Sequence, residues 1–339
     1  TEGTEEIVCH QGTLLAAVRG VSQDRKEEFS RLTGLMKQED SPLFDRDSAE
    51  PFVQRFRDSE RRGEVSIQAI DAQTGSLLWK KDGSDAAGLR TLTLSALGDC
   101  VFYQRGKDVV CLERGTGRQM WSVAAAPMRL VWDGGVVCAD GQTCTVLSLK
   151  TGEPRWSQGT RLSEVRDAFV AGGSLWVGGF KPFPAKRGPS WGPYFVTQFD
   201  PATGEVLRHI EPENPSHHHR CYSNKATDRY ILGGRRGTEF IDLQTGEVLW
   251  NSWARGVCRY GVMPANGLLY VPPHACGCYT AAKLIGFNAL AAERETSKRE
   301  KVEKWKSERV EESDRSDRLE KGPAYAVIPD PSSPTSHPS

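Results

Sequence analysis

A nine-residue pattern recurs along this chain and limits its folds more than any other feature. Asp71-Ala-Gln-Thr-Gly-Ser-Leu-Leu-Trp79 is echoed by Glu113-Arg-Gly-Thr-Gly-Arg-Gln-Met-Trp121, Ser148-Leu-Lys-Thr-Gly-Glu-Pro-Arg-Trp156 and Asp242-Leu-Gln-Thr-Gly-Glu-Val-Leu-Trp250. A further copy, Asp200-Pro-Ala-Thr-Gly-Glu-Val-Leu-Arg208, keeps everything but the tryptophan. Thr-Gly between two β-prone runs is turn chemistry, with glycine free to take positive φ and a leading Asp or Ser able to cap the turn. Each copy therefore reads as a hairpin whose outgoing strand carries a large ring that can cover the junction with a neighbouring sheet.

The repeated threonines are Thr74, Thr116, Thr151, Thr203 and Thr245, so the intervals are 42, 35, 52 and 42 residues. That is close to the roughly 40 to 50 residues of a four-stranded propeller blade. Two further short apolar runs precede each copy, for example Leu92 to Leu97 and Cys100 to Gln104. Four strands per unit follow. Sheets that cannot bury both faces alone must stack on like neighbours, and radial repetition achieves this. The expected fold is all-β, a β-propeller of four-stranded antiparallel blades.

The signature D-x-x-T-G-x-x-x-W resembles the pyrroloquinoline-quinone (PQQ)-like propeller repeat of quinoprotein alcohol dehydrogenases and of the bacterial outer-membrane barrel-assembly lipoprotein. The stretch from Cys221 through Ala291, with Pro-Ala-Asn-Gly-Leu-Leu-Tyr-Val-Pro-Pro-His and Gly-Phe-Asn-Ala-Leu, is similar to planctomycete-type propeller proteins known as PQQ-binding-like. The resemblance covers about residues 1 to 291 and implies a fold more than an activity.

Six units are expected within residues 1–291. The first is interrupted by an insertion over 21–63, and the next four span about Leu89–Val123, Met128–Ser157, Val165–Ile210 and His218–Trp253. The sixth, Gly256 to Ala291, has strands expected at Cys258–Val262, Leu268–Val271 and Lys283–Asn288 and lacks a Thr-Gly hairpin. An unpaired edge invites aggregation, so the ring is expected to be incomplete and to close with residues of a longer parent of seven or eight blades. In the first insertion Phe29, Leu32, Leu35 and Met36 fall at helical spacing, and Phe52 with Phe56 suggests a second short helix. This reads as a lid over a blade, with a partner-docking role as the alternative. A second insertion, 181–194, is rich in Pro and Gly. Residues 292–321 mix Glu, Lys, Arg and Asp and read as a charged helical spacer, and 322–339 as a disordered Pro/Ser-rich linker toward further domains.

Forty-four basic residues balance 44 acidic ones, which removes the electrostatic case for nucleic acid as a partner. No apolar run approaches the roughly 20 residues of a membrane-spanning helix. The chain starts at Thr1, which suggests a processed or partial chain. The family resemblance implies a periplasmic or secreted location.

Nine cysteines are present. Cys9, Cys100, Cys111 and Cys138 sit in strand-like runs and read as small buried hydrophobes. The later ones concentrate with histidines: His217-His-His-Arg-Cys221, Cys258, and His274-Ala-Cys-Gly-Cys278. Cys221 and Cys258 are placed in the innermost strands of adjacent blades, with His219 just ahead of Cys221 and His274, Cys276 and Cys278 in a loop on the same face. A soft-metal site for zinc or copper, disulfides such as Cys221 to Cys258, and inert thiols all remain open. Three functions follow from these features. The favoured one is a non-enzymatic scaffold or binding propeller, within a larger envelope or secreted protein, presenting its channel mouth to a protein partner or small ligand. The others are a PQQ-dependent alcohol dehydrogenase and a Cys/His metal-binding or redox propeller. Quinoprotein dehydrogenases typically carry adjacent cysteines beneath the cofactor, and this sequence has no Cys-Cys pair.

Overall fold

The computed structural model describes residues 3–20, 23–41, 50–52, 54–55, 64–183, 188–213, 218–219, 222–235, 237–258, 260–273, 284 and 286–292. The chain divides into two units, 1–290 and 291–339. The expected spacer and linker, beyond Ala292, lie outside the described residues.

Five sheets have four antiparallel strands in sequence order and the sixth has three. Blade one comprises β1 (Gly3–His10), β2 (Thr13–Arg19), β3 (Val65–Asp71) and β4 (Leu77–Lys81), and blade two β5 (Ser95–Leu97), β6 (Cys100–Arg105), β7 (Asp108–Glu113) and β8 (Gln119–Ala124). Blade three is β9 (Met128–Trp132), β10 (Gly135–Ala139), β11 (Thr143–Leu147) and β12 (Pro154–Gly159). Blade four is β13 (Glu164–Ala171), β14 (Ser174–Phe180), β15 (Phe195–Phe199) and β16 (Val206–Ile210). Blade five is β17 (Lys225–Ala226), β18 (Tyr230–Gly233), β19 (Thr238–Asp242) and β20 (Val248–Asn251). Blade six is β21 (Met263–Ala265), β22 (Leu268–Val271) and β23 (Asn288–Ala291). The three-stranded sixth sheet agrees with the expected incomplete ring, though its first strand begins at Met263 rather than Cys258.

Strand alternation makes the inner sheets apolar on both faces, and each face that meets a neighbouring sheet is buried against it. In β6, Val101 and Tyr103 pack toward Leu15, Ile67 and Ala69 of blade one, while Phe102 packs the other way, toward Val136, Cys138 and Leu147 of blade three. The same relay continues from blade three to four through Val137, Val146, Leu175 and Val177. It then passes from four to five through Val196, Ile231 and Ile241 and from five to six through Leu232, Leu269 and Val271. No single core exists; five inter-blade cores hold a propeller together.

The repeated hairpin locks these junctions. Asp71 accepts from the backbone N–H groups of Gln73 (3.0 Å) and Thr74 (2.7 Å) and from Thr74 Oγ1 (2.9 Å), which holds its carboxyl below the ordinary range. Asp200 does the same with Ala202 and Thr203. The tryptophan then reaches forward: Trp79 Nε1 donates to Arg114 O (2.6 Å), Trp121 to Leu149 O (3.0 Å) and Trp156 to Pro201 O (3.1 Å). Each ring lies on the Thr-Gly turn of the next blade. Gly204 has φ of +78° and a Cβ there would stand 2.5 Å from the Trp156 ring, so this position excludes a side chain on two grounds. Arg208 takes the tryptophan's place in blade four, donating to Leu243 O (3.2 Å), Gln244 O (2.7 Å) and Thr245 O (2.7 Å).

Trp250 lies on an outermost strand as expected but at a different depth, 40% exposed against 9% for Trp79 and Trp156. It pairs with Glu239 without the register shift that precedes the other three tryptophans. Cys9 also departs from expectation. It is exposed, because it alternates with Val8, whose face packs on blade two. Cys100 is half-buried, and Cys111, Cys138 and Cys144 are buried.

Candidate functional site

In this topology the loops joining second to third strands and the connections between blades emerge on one face. That face carries α1 (Gln23–Met36) of the first insertion, the 181–194 insertion and the segments holding His219 and Cys258. Helix α1 shows Phe29 at 62% and Met36 at 65% exposure, and Arg31 and Arg55 both lie over the Phe52 ring, at 5.0 and 5.2 Å.

Side-chain acceptors of the first or second strand tie a blade to the one that follows it. Glu6 Oε2 accepts from Leu92 N (2.8 Å) and Gln104 Oε1 from Met128 N (3.0 Å). Asp167 Oδ1 accepts from Asn224 N (3.2 Å), and its Oδ2 accepts from Tyr194 Oη (2.9 Å). Burial raises the Asp167 carboxyl and raises the Tyr194 phenol well above its ordinary value.

Asp167 and Tyr194 open a polar cluster at the junction of blades four and five that no repeat motif announces. His219 Nε2 meets Asn224 Oδ1 at 2.9 Å, its ring is stacked on Tyr194 (5.4 Å) and edge-on to Phe180 (5.5 Å), and its N–H donates to Ser190 O (2.9 Å). Across the junction Arg235 and Glu239 are both buried, with Nε to Oε1 at 3.8 Å, and Arg235 Nη2 also donates to Gly192 O of the second insertion. Burial pushes the Glu239 carboxyl up to about 7 and pulls Arg235 down. A signal for this cluster was present in the sequence. Gly178-Gly179 and Gly233-Gly234 recur at the ends of the second strands in blades four and five, and a Cβ on Gly178 or Gly234 would stand 1.9 Å from Tyr194 Oη or 2.1 Å from Tyr222 Oη.

Of the proposed metal ligands, Cys221, His274, Cys276 and Cys278 lie outside the described residues. His219 is placed in the buried cluster just described. Cys258 is not in an innermost strand: it occupies a turn closed by the Val257–Gly261 bridge. Gly261, at φ of +74°, and Gly256 allow that turn to fold tightly on Tyr222, whose ring atoms would lie 2.8 Å from a Cβ at either glycine. The turn delays the strand to Met263 and brings the Cys258 segment against the chain neighbour of Cys221. Among the described residues no group of three or more His, Cys, Asp or Glu side chains is placed to hold a metal.

On the same face, a cleft of about 800 Å³ lies between blades one and two, lined by Arg19, Glu64, Gly88, Leu89, Arg90 and Thr91 among others. Arg19 is paired with Glu5 at 2.7 Å.

Residues 48–181 match a PQQ-type family model described as outer membrane protein assembly factor BamB. No curated protein matches the chain. Among solved structures it is similar to the computationally designed Ika8 protein, at 15% identity and a TM-score of 0.48, covering 78% of this chain and 66% of that one. BamB from Moraxella catarrhalis is 16% identical, with a TM-score of 0.41 over 69% of this chain and 80% of that one. The quinohemoprotein alcohol dehydrogenase ADHIIG from Pseudomonas putida HK5 is 13% identical, with a TM-score of 0.42 over 62% of this chain and 49% of that one. The chain thus spans less than two thirds of the designed protein and about half of the dehydrogenase. The matched residues, 48–181, are those that carry the first three Thr-Gly hairpins, and the match extends over less than half of the chain.

Proposed function

We propose that the chain is a non-enzymatic binding propeller within a larger envelope or secreted protein, using the insertion-bearing face to engage a protein partner. The observation that carries this reading is α1, a helix inserted between β2 and β3 that presents Phe29 and Met36 to solvent instead of burying them as a lid would. The description of the matching family, an outer-membrane assembly factor, supports a partner in the envelope. Among the described residues no helix is long and apolar enough to cross a membrane. The buried Cys138 and Cys144 thiols, pushed up to about 12 by desolvation, are inert and compatible with an oxidising compartment.

Two features weigh against the alternative of a PQQ-dependent dehydrogenase. Cys-Cys is absent from the sequence. Asp167, the buried carboxylate of the blade-four inner strand, has one oxygen engaged by Tyr194 and the other by Asn224.

The test is cross-linking and co-purification from the source cells of the full chain and of a Phe29→Glu/Met36→Glu variant. Both positions are exposed, so the variant is expected to fold as the parent does while capture falls about tenfold or more. Equal capture by both proteins would count against α1 as the contact. Alcohol-dependent dye reduction by the chain supplied with PQQ and calcium would overturn the non-enzymatic reading.

A Cys/His site is a second reading, favoured by the packing of the Cys258 turn on Tyr222. Peptide mapping of the unreduced chain together with elemental analysis decides it. The expected result is a Cys221–Cys258 linkage or stoichiometric zinc or copper; alkylation of both cysteines without metal would eliminate it.

A further inference from the structure

Arg129 follows the first residue of β9 and is the extra residue of a bulge in the β9–β10 pairing. Among the described residues its guanidinium makes one hydrogen bond, from Nε to Ala139 O (3.0 Å). The side chain of Arg90, just ahead of blade two's inner strand, makes no hydrogen bond or ion pair among them. Gln104, buried between the two, ties their backbones together: its carbonyl accepts from Arg90 N (2.8 Å) and its side-chain oxygen from Met128 N (3.0 Å). Arg166 is likewise the extra residue of a bulge, in β13, which packs beside β9. Its carboxylate neighbour is Glu164, at 3.5 Å.

Bulges re-aim side chains and concentrate beside functional sites. Here two of them place Arg129 and Arg166 on the inner strands of adjacent blades, and Arg90 stands in the connection just ahead of blade two's inner strand. Asp167 and Glu164 offset part of this charge, but burial and Arg90 outweigh them at Arg129, whose pKa is lowered on balance. Arg90 and Arg166 are close enough, with burial, to pull the Arg129 pKa down. Cations held together with their outer nitrogens uncommitted are a cost to the fold that an oxyanion would offset. Arg90 itself also lines the cleft of about 800 Å³ between blades one and two.

We propose that Arg90 and Arg129, with Arg166 beside them, form an anion site at the inner rim of blades two to four that takes a small ligand bearing phosphate or several carboxylates. This deepens the binding-propeller reading by naming a ligand class, and it rests on different residues from the α1 contact.

The test is isothermal titration of the full chain with inorganic phosphate and with citrate, at low and high salt. Saturable binding of at least one, weakened about tenfold or more in Arg129→Gln and in Arg90→Ala and reduced by salt, is expected. Arg90 is exposed, so Arg90→Ala decides the matter alone if Arg129→Gln does not fold. Absence of saturable binding up to about 10 mM, far weaker than a built site provides, or unchanged affinity in Arg90→Ala would overturn the inference. So would binding of an acidic peptide with neither small anion. None of these results alters the Phe29/Met36 experiment, so failure here leaves the partner-binding reading separately testable.

Discussion

Replacing Trp156 by alanine is expected to destabilise the protein by about 3 to 5 kcal/mol, whereas Trp250→Ala should cost about 1 kcal/mol or less. Both residues occupy the same place in the repeat, and the sequence separates them only by the Thr-Gly hairpin that the sixth unit lacks. Trp156 is 9% exposed, stacks near Phe199 at 6.0 Å, donates to Pro201 O and roofs Gly204. Its removal opens a cavity at the junction of blades three and four and leaves a carbonyl without its donor. Trp250 is 40% exposed, and no Thr-Gly hairpin exists in the sixth unit to receive it. Urea unfolding of the two variants checks this; equal losses would show that the ring-on-turn contact is not what joins the blades.

Glu239 is expected to make stability fall as pH rises from about 4.5 to 7. Its carboxyl is raised from 4.5 to about 7 by burial, with Arg235 only partly opposing the shift. In that window the folded state holds a proton that the unfolded state has released. The stabilisation is fully present below the unfolded value and lost as pH passes the folded one. A shift of this size corresponds to about 3 kcal/mol at 1.36 kcal/mol per pH unit. Glu239→Gln removes the proton linkage. Whatever its stability at pH 4.5, the variant should therefore gain about 3 kcal/mol relative to the parent by pH 7.5. The turn carboxylates Asp71 and Asp200 act with the opposite sign, but they are common to both proteins and cancel in the comparison. Denaturant curves at the two pH values measure the difference, and parallel pH profiles would mean that Glu239 is ionised as readily in the fold as outside it.

The repeat made blade spacing, hairpin positions and both insertions legible, because Thr-Gly turns and alternating strands are local physics acting within a few residues. Even Arg208, which breaks the motif, keeps the docking contact, since a long side chain with several donors can reach the same carbonyls as an indole. The Cys/His grouping was less legible. Assigning Cys258 to a strand assumed that blade five's connection to blade six ran straight, whereas Gly256 and Gly261 turn it back on the Tyr222 ring.

What the sequence determined by itself was the propeller repeat, through turn chemistry and strand period. Tertiary structure alone decided which polar groups became special. Asp167 and Asn224 are far apart in the chain and meet only because blades four and five lie side by side, and Tyr194 joins them from the segment entering blade four's third strand. Gln104 ties the Arg90 backbone to the start of blade three in a similar way, whereas Arg235 and Glu239 lie four residues apart within blade five and owe only their burial to the junction. Burial at those junctions then turns ordinary carboxylates and guanidiniums into groups with shifted pKa values. That environment belongs to the contact between blades, and no single blade's residues encode it.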